Sequence, residues 1–350
     1  MKKTQTAIII ALVYAFLSLV CCQSQSCSGN RDGERAGTAF IAPDTWNDMA
    51  VYIEKEGLPV HGVVIIKNDQ PVFERYFNGW DGEKPHITHH IVNSVISCCV
   101  GVCVDEGLIQ SADEKVAGFF PEFKSVITDP RQRDITIRHL LTMSGGYRWE
   151  SEHHNDPIKE FVEHPAIEQY MFSLPLTSTP GTSMSQNSGG VFLLTRIIEK
   201  VSGKTMAEFV DEKLFSPLGI KRYRWEKDPI CETKGPYALY MRPRDMAVYG
   251  GMILHNGTWN GKKIVSAAWL GEATRTSFPL SGGLFKVFRD LGQQGFGYSW
   301  WVFPDMVAAE GHSGQHIYVI REKNVVVVFT AGGRFALPAE LYRDYIRDAL

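Results

Sequence analysis

Segments that read as β-strands sit at both ends of this chain, and the stretch between them reads as helix and loop. Near the start, Gly62-Val-Val-Ile-Ile-Lys67 and Pro71-Val-Phe-Glu-Arg-Tyr-Phe77 flank an Asn68-Asp69 turn, which is the pattern of a hairpin. Near the end, residues 296–303, 316–320 and 325–329 are short, rich in β-branched and aromatic residues, and separated by polar turns. In the middle, Val191, Leu194, Ile198 and Val201 recur at helical spacing, and Met206, Phe209, Val210 and Leu214 continue it after Ser202-Gly203. Pro243 opens another helix that runs to Leu254, and residues 338–350 form an amphipathic terminal helix. Asp44 reads as the N-cap of a first helix carrying Trp46, Met49 and Ile53. Strand groups this far apart bury their backbone groups by sharing one sheet, so the pattern predicts an α+β fold whose sheet is built from both chain ends. Nothing suggests internal repeats or a second core.

Composition bounds the class. Of 350 residues, 44% are hydrophobic and 21% charged, as in a packed globular protein. The net charge of −3, with basic residues spread along the chain, gives no footprint for nucleic acid. Lys2 and Lys3 precede an apolar run over residues 7–20, shorter than the roughly 18 residues of a membrane span and fitting an export signal. Leu19-Val20-Cys21-Cys22 resembles a bacterial lipoprotein signal with Cys22 as the lipidated residue, although Cys21 stands where a small residue is usual. The expected organisation is a signal over 1–22, a Ser- and Gly-rich tether over 23–43, and one domain over 44–350. The product is then exported and held at the cell envelope, meeting the membrane through its lipid anchor only. Seven cysteines form no disulfide framework: three lie in the signal and tether, Cys98, Cys99 and Cys103 fall in one apolar stretch, and Cys231 is isolated.

A set of ordered motifs narrows the fold further. They include Val104-Asp-Glu-Gly-Leu-Ile109, Phe119-Phe-Pro-Glu122, Ile135-Thr-Ile-Arg-His-Leu-Leu-Thr-Met-Ser-Gly-Gly146 and Pro180-Gly-Thr182. Leu214-Phe-Ser-Pro-Leu-Gly-Ile220, Arg242-Pro-Arg-Asp-Met246 and Gly311-His-Ser-Gly-Gln315 follow in order. Together they resemble the β-lactamase-related serine hydrolases, the class C and penicillin-binding-protein-like group, over about residues 44–335. The resemblance implies a five-stranded antiparallel sheet with flanking helices, packed on a mostly helical middle region. It also implies action on peptides, amides, esters or β-lactams, and no cofactor.

The same resemblance locates three motifs, and two of them are altered. The family's Ser-x-x-Lys places nucleophile and lysine one turn apart on one helix face. No such tetrad occurs anywhere in the chain. Counting back from Gly101 and Asp105-Glu-Gly107 puts the nucleophile slot on His90 and the lysine slot on Asn93, and His86 matches a histidine that commonly precedes the motif. In the Tyr-x-Asn motif, the tyrosine slot holds Gln186 and the asparagine slot Ser188; a one-residue slip would recover Asn187 but no tyrosine. The third motif survives as His312-Ser313-Gly314, expected on the strand that lines the substrate cleft. Glutamine and asparagine do not titrate near neutral pH, so the expectation is a catalytically degenerate member that keeps a binding cleft for a peptide, peptidoglycan-like or small amide or ester ligand.

Two rival chemistries remain open at this point. One is a hydrolase with a non-standard nucleophile, drawing on Ser94 or on His90 with His312. Ser94 lies a turn too deep along the helix, so a structural duty is favoured for it. The other is a metal site from His86, His89, His90, His153, His154 and His312, for which His-x-x-His-His is a weak pattern. Trp300-Trp301 are expected to pack a strand on the helices with one edge near the cleft, and Trp149-Glu150 to border it.

Overall fold

Asn68 and Asp69 both take left-handed φ angles, 51° and 63°, and so close the tight hairpin that joins β1 (Val60–Lys67) to β2 (Gln70–Tyr76). The structure is a computed structural model that describes residues 43–148, 164, 166–226, 239–280 and 285–350. The signal, Cys22, most of the tether, Trp149-Glu150, His153, His154 and Cys231 lie outside the described residues.

The other strands of the main sheet come from the second half of the chain. They are β3 (Phe278–Pro279), β4 (Gly295–Phe296), β5 (Trp301–Val302), β6 (Val307–Gly311), β7 (Gln315–Ile320) and β8 (Val325–Ala331). Their spatial order is β2-β1-β8-β7-β6-β5-β4-β3, with every pairing antiparallel. The first and last long strands meet at the centre, where Val64 lies opposite Val328. The fold is thus the expected α+β, β-lactamase/transpeptidase-like arrangement, but the antiparallel sheet has eight strands and not five: β1, β2, β6, β7 and β8 are long, and three two-residue strands extend the edge.

Local details differ from the sequence reading. Residues 296–303 are not one strand, because Ser299 at φ 64° turns the chain back and separates β4 from β5. Strand β6 carries only one β-branched residue in Val307-Ala-Ala-Glu-Gly311, which is why propensity overlooked it. The first helix, α1 (Asp44–Lys55), starts with Pro43 in the cap position and no side-chain cap, so Asp44 is its first residue and not its N-cap.

Helices cover both faces of the sheet. On one face, Trp46 of α1 meets Phe73 edge-on at 6.0 Å, and the helical terminal segment after Leu337 packs beside it, with Tyr342 on Tyr318 at 4.9 Å. On the other lies α5 (Pro243–Leu254), brought so close that a Cβ on Gly250 would sit 2.6 Å from Val326. Behind it runs α2 (Ile91–Asp105), whose run from Ile91 to Cys103 is entirely buried, as expected of a helix that is apolar all round. Burial of each Val or Ile on it contributes roughly 1.5–3 kcal/mol. Trp269 of α6 (Ala267–Ala273) donates its indole N–H to the Ser97 carbonyl at 3.0 Å and fills the space that the missing side chain of Gly101 leaves. Cys98, Cys99 and Cys103 are free and buried. Among the described residues, no helix is long and apolar enough to cross a membrane.

Candidate active site

A turn, and not a capping side chain, sets the start of α2. Thr88 fixes this turn by donating its hydroxyl and its backbone N–H to the Leu239 carbonyl, at 2.9 and 2.8 Å. His89 then adopts φ 47° and His90 enters the helical conformation as the capping residue, without a side-chain cap bond. Asn93 follows one turn later on the same face, 6% exposed, with its Oδ1 buried and unpartnered. Strand β6 reaches this turn directly: a Cβ on Gly311 would lie 2.2 Å from the Thr88 carbonyl oxygen.

The second helix bordering the cleft is α4 (Ser188–Ser202). Asn187 caps it by accepting the Gly190 N–H at 2.9 Å. That bond uses the amide oxygen which a one-residue slip of the motif would have offered to a ligand. Gln186 is exposed at the rim and Ser188 is buried at the first helical position.

These residues share one cleft, lined by His90, Asn93, Gln186, Asn187 and Ser188 together with Met143, Phe296, Ser299, Trp301 and Glu310. Four of the residues singled out in the sequence, His90, Asn93, Gln186 and Ser188, are thus brought together in one cavity. His312, Ser313 and Gly314 are not among the lining residues and do not lie on a strand. They form a short turn after β6 in which Ser313 is left-handed, φ 59°. The turn is set by packing far along the chain: Gly314, at φ 87°, lies against Ala331 and Pro338. His312 is exposed, and its ring lies 5.8 Å from that of His89.

Met143, Phe296, Ser299 and Glu310 were missed. Alternation of side chains along a strand could have separated the two tryptophans: Trp300 is fully buried against Tyr249, and Trp301 turns to the cleft, 4.7 Å from Phe296. Glu310 is 5% exposed as a residue but its side chain not at all, so only its backbone reaches the cleft.

Backbone strain concentrates here. Six of the ten described non-glycine residues with positive φ are Asn or Asp, which tolerate that conformation in turns. Of the other four, Met143 and Ser299 line the cleft, His89 directly precedes His90, and Ser313 sits in the turn after β6. Such conformations cost of order 1–3 kcal/mol each and persist where the surrounding packing imposes them.

The expected histidine cluster divides. His86 is buried and is not among the cleft-lining residues; its ring lies tilted against Trp80 at 4.1 Å, with its Nδ1 3.4 Å from that of His61. Among the described residues of that cluster, His89, His90 and His312 remain near the cleft. Burial holds the His90 imidazole neutral, pushing it down to about 4, with His89 and His312 adding repulsion. Among the described residues, no three His, Cys, Asp or Glu side chains are placed to hold one metal ion. Ser94 is fully buried, donating to the Ile91 carbonyl at 2.7 Å and accepting from the Tyr249 hydroxyl at 3.1 Å, so its duty is structural and it is no nucleophile.

Glu310 gives a separate prediction. Its carboxyl is fully buried behind β6, 3.8 Å from His316 Nδ1 and without a hydrogen bond, and burial raises it well above the usual carboxylate range. A raised folded pKa means that the fold keeps a proton which the unfolded chain releases. Stability is therefore complete below the unfolded value and falls as pH rises toward the folded one, by up to about 1.4 kcal/mol per pH unit. Replacing Glu310→Gln should remove that slope, so the variant gains on the native protein from pH 6 to pH 9 in urea titrations. A stability difference that stays constant across that range would contradict this.

A β-sheet built from both chain ends, a helix starting at its cleft edge and a capped second helix opposite define a transpeptidase-like hydrolase scaffold. The beta-lactamase family pattern matches residues 47–350, and the chain belongs to that family. It is 31% identical over 178 residues to lovastatin esterase of Penicillium rubens, covering 44% of this chain and 43% of the esterase. The chain thus spans less than half the length of that relative. It is also 23% identical over 291 residues to 6-aminohexanoate-dimer hydrolase of Paenarthrobacter ureafaciens, covering 76% of this chain and 70% of that protein. The octameric penicillin-binding protein homologue from Pyrococcus abyssi shares the fold with a TM-score of 0.68 at 20% identity, over 86% of this chain and 76% of that one.

Proposed function

We propose that this chain is a beta-lactamase-family protein which binds a small amide, ester or peptide ligand in its cleft without forming an acyl-enzyme, and that it does so at the bacterial envelope, anchored through Cys22. One observation carries the reading: among the described residues, those lining the cleft include neither lysine nor tyrosine. Neutral His90 can accept a proton, but Asn93 and Gln186 stand where a lysine and a phenol would pass it on, and amides do not titrate. In acyl-enzyme machinery, loss of one essential member costs on the order of a millionfold in turnover.

Binding capacity remains. The unpartnered Asn93 Oδ1 is an acceptor awaiting a donor, and Ser188 and Ser299 add polar contacts beside the apolar wall of Phe296 and Trp301. The names of the esterase and the dimer hydrolase favour ester and amide ligands. The basic start, apolar run and cysteine pair of residues 2–22 support the address. In the test, nitrophenyl butyrate, nitrocefin and a D-alanyl-D-alanine peptide should be consumed at the buffer rate. Saturable turnover approaching the roughly 1–10³ s⁻¹ of ordinary enzymes would overturn the proposal.

A further inference from the structure

A second cavity, sharing no lining residue with the functional cleft, lies between the β1–β2 hairpin and α5. Its empty space, open solvent at the mouth included, is about 860 Å³. Its walls are Val64 and Ile66 of β1 on one side and Val248 and Leu254 of α5 on the other. Trp259 closes it against Gly251, where a Cβ would come within 2.6 Å of the indole, so the missing side chain is what lets the ring lie on the helix. From Arg244 to Leu254 the helix rises ten residues, making the slot roughly 15 Å long.

Among the described lining residues, the charged side chains lie at the two ends, where they are paired, and between them the walls are apolar apart from the Trp259 indole N–H. Arg244 Nε donates to Glu74 Oε1 at 2.7 Å at one end, and His255 Nε2 lies 2.6 Å from Asp69 Oδ1 at the other. No side chain lining the slot holds a buried polar atom without a partner. A ligand's middle must therefore be apolar, since a buried polar group would find at most that one N–H to bond. An anionic head at the Arg244 end would also face Glu74, whereas a neutral hydroxyl can donate to the carboxylate and accept from the guanidinium.

From this we infer that the slot is a binding site for a neutral single-chain lipid, an aliphatic chain ending in a hydroxyl. The site is independent of the cleft and of the function proposed for it. The test uses the full chain with decanol and the neutral dye phenylnaphthylamine. The dye should brighten on the native protein and be displaced by decanol, and decanol should raise the melting temperature by mass action. Val248→Trp and Ile66→Trp plug the slot from opposite walls, so one remains informative if the other fails to fold. Each plugged variant that melts cooperatively should bind decanol at least tenfold more weakly than the native protein. Equal decanol binding by a folded plugged variant, or no saturable binding by the native chain, would overturn the site. Decanoate binding as tightly as decanol would overturn its assignment to a neutral head group.

Discussion

Protein carrying His90→Ser, Asn93→Lys and Gln186→Tyr together should react covalently with a fluorophosphonate at least a hundredfold faster than the native chain, while the double change at 90 and 93 alone should stay within tenfold of it. The reason is geometric. Positions 90 and 93 lie one helical turn apart at the same cleft, and position 186 borders that cleft at the rim before α4. A serine and lysine placed there recreate a nucleophile with an amine beside it, but the proton relay still ends at an amide unless position 186 becomes a phenol. Members of such a unit act together, so single restorations recover little. Rapid-mixing labelling with a fluorescent fluorophosphonate measures all three proteins. Equal rates for the double and triple variants would show that Gln186 is not the missing relay.

Replacing Gly311→Ala should cost more than about 2 kcal/mol, at the upper end of what one added methyl group does in a packed site. Gly311 has an ordinary extended φ of −119°, so the cost does not come from backbone conformation. It comes from space: the new Cβ would lie 2.2 Å from the Thr88 carbonyl oxygen and 3.3 Å from the His89 Cβ, and the first of these is backbone that cannot swing aside. The strand and the start of α2 would have to part, moving His90 relative to the cleft wall. Gly118→Ala is the control, because nothing lies within 4 Å of its added Cβ and its φ is not positive. Urea denaturation of both variants decides the matter. A Gly311→Ala protein as stable as the Gly118→Ala protein would mean that the strand and the turn are not locked together.

Much of this architecture was legible because it rests on local chemistry. The Asn68-Asp69 turn and Pro243 at the first position of α5 each announce their element. Counting back from Gly101 along the family resemblance singled out His90 and Asn93, and helix geometry then turns that three-residue interval into a shared face, from which both line the cleft. What stayed hidden depends on long-range contacts. Ser299 gives no sign in sequence of its left-handed turn, yet that turn splits a strand and sends Trp301 into the cleft. His86 and His89 are three residues apart, but His86 pairs with Met241 in a two-residue strand and Thr88 is tied to Leu239, so their side chains part company. The His312-Ser313-Gly314 turn likewise follows from packing against Ala331 and Pro338, which no local pattern reveals.

The account's central claim is that the cleft binds without acylation. Intact-mass spectrometry of the purified chain after prolonged incubation with a fluorescent penicillin and, separately, a fluorophosphonate tests it most directly. The predicted result is unmodified mass in both samples. A stoichiometric adduct that maps to a serine lining the cleft, such as Ser188 or Ser299, would contradict it.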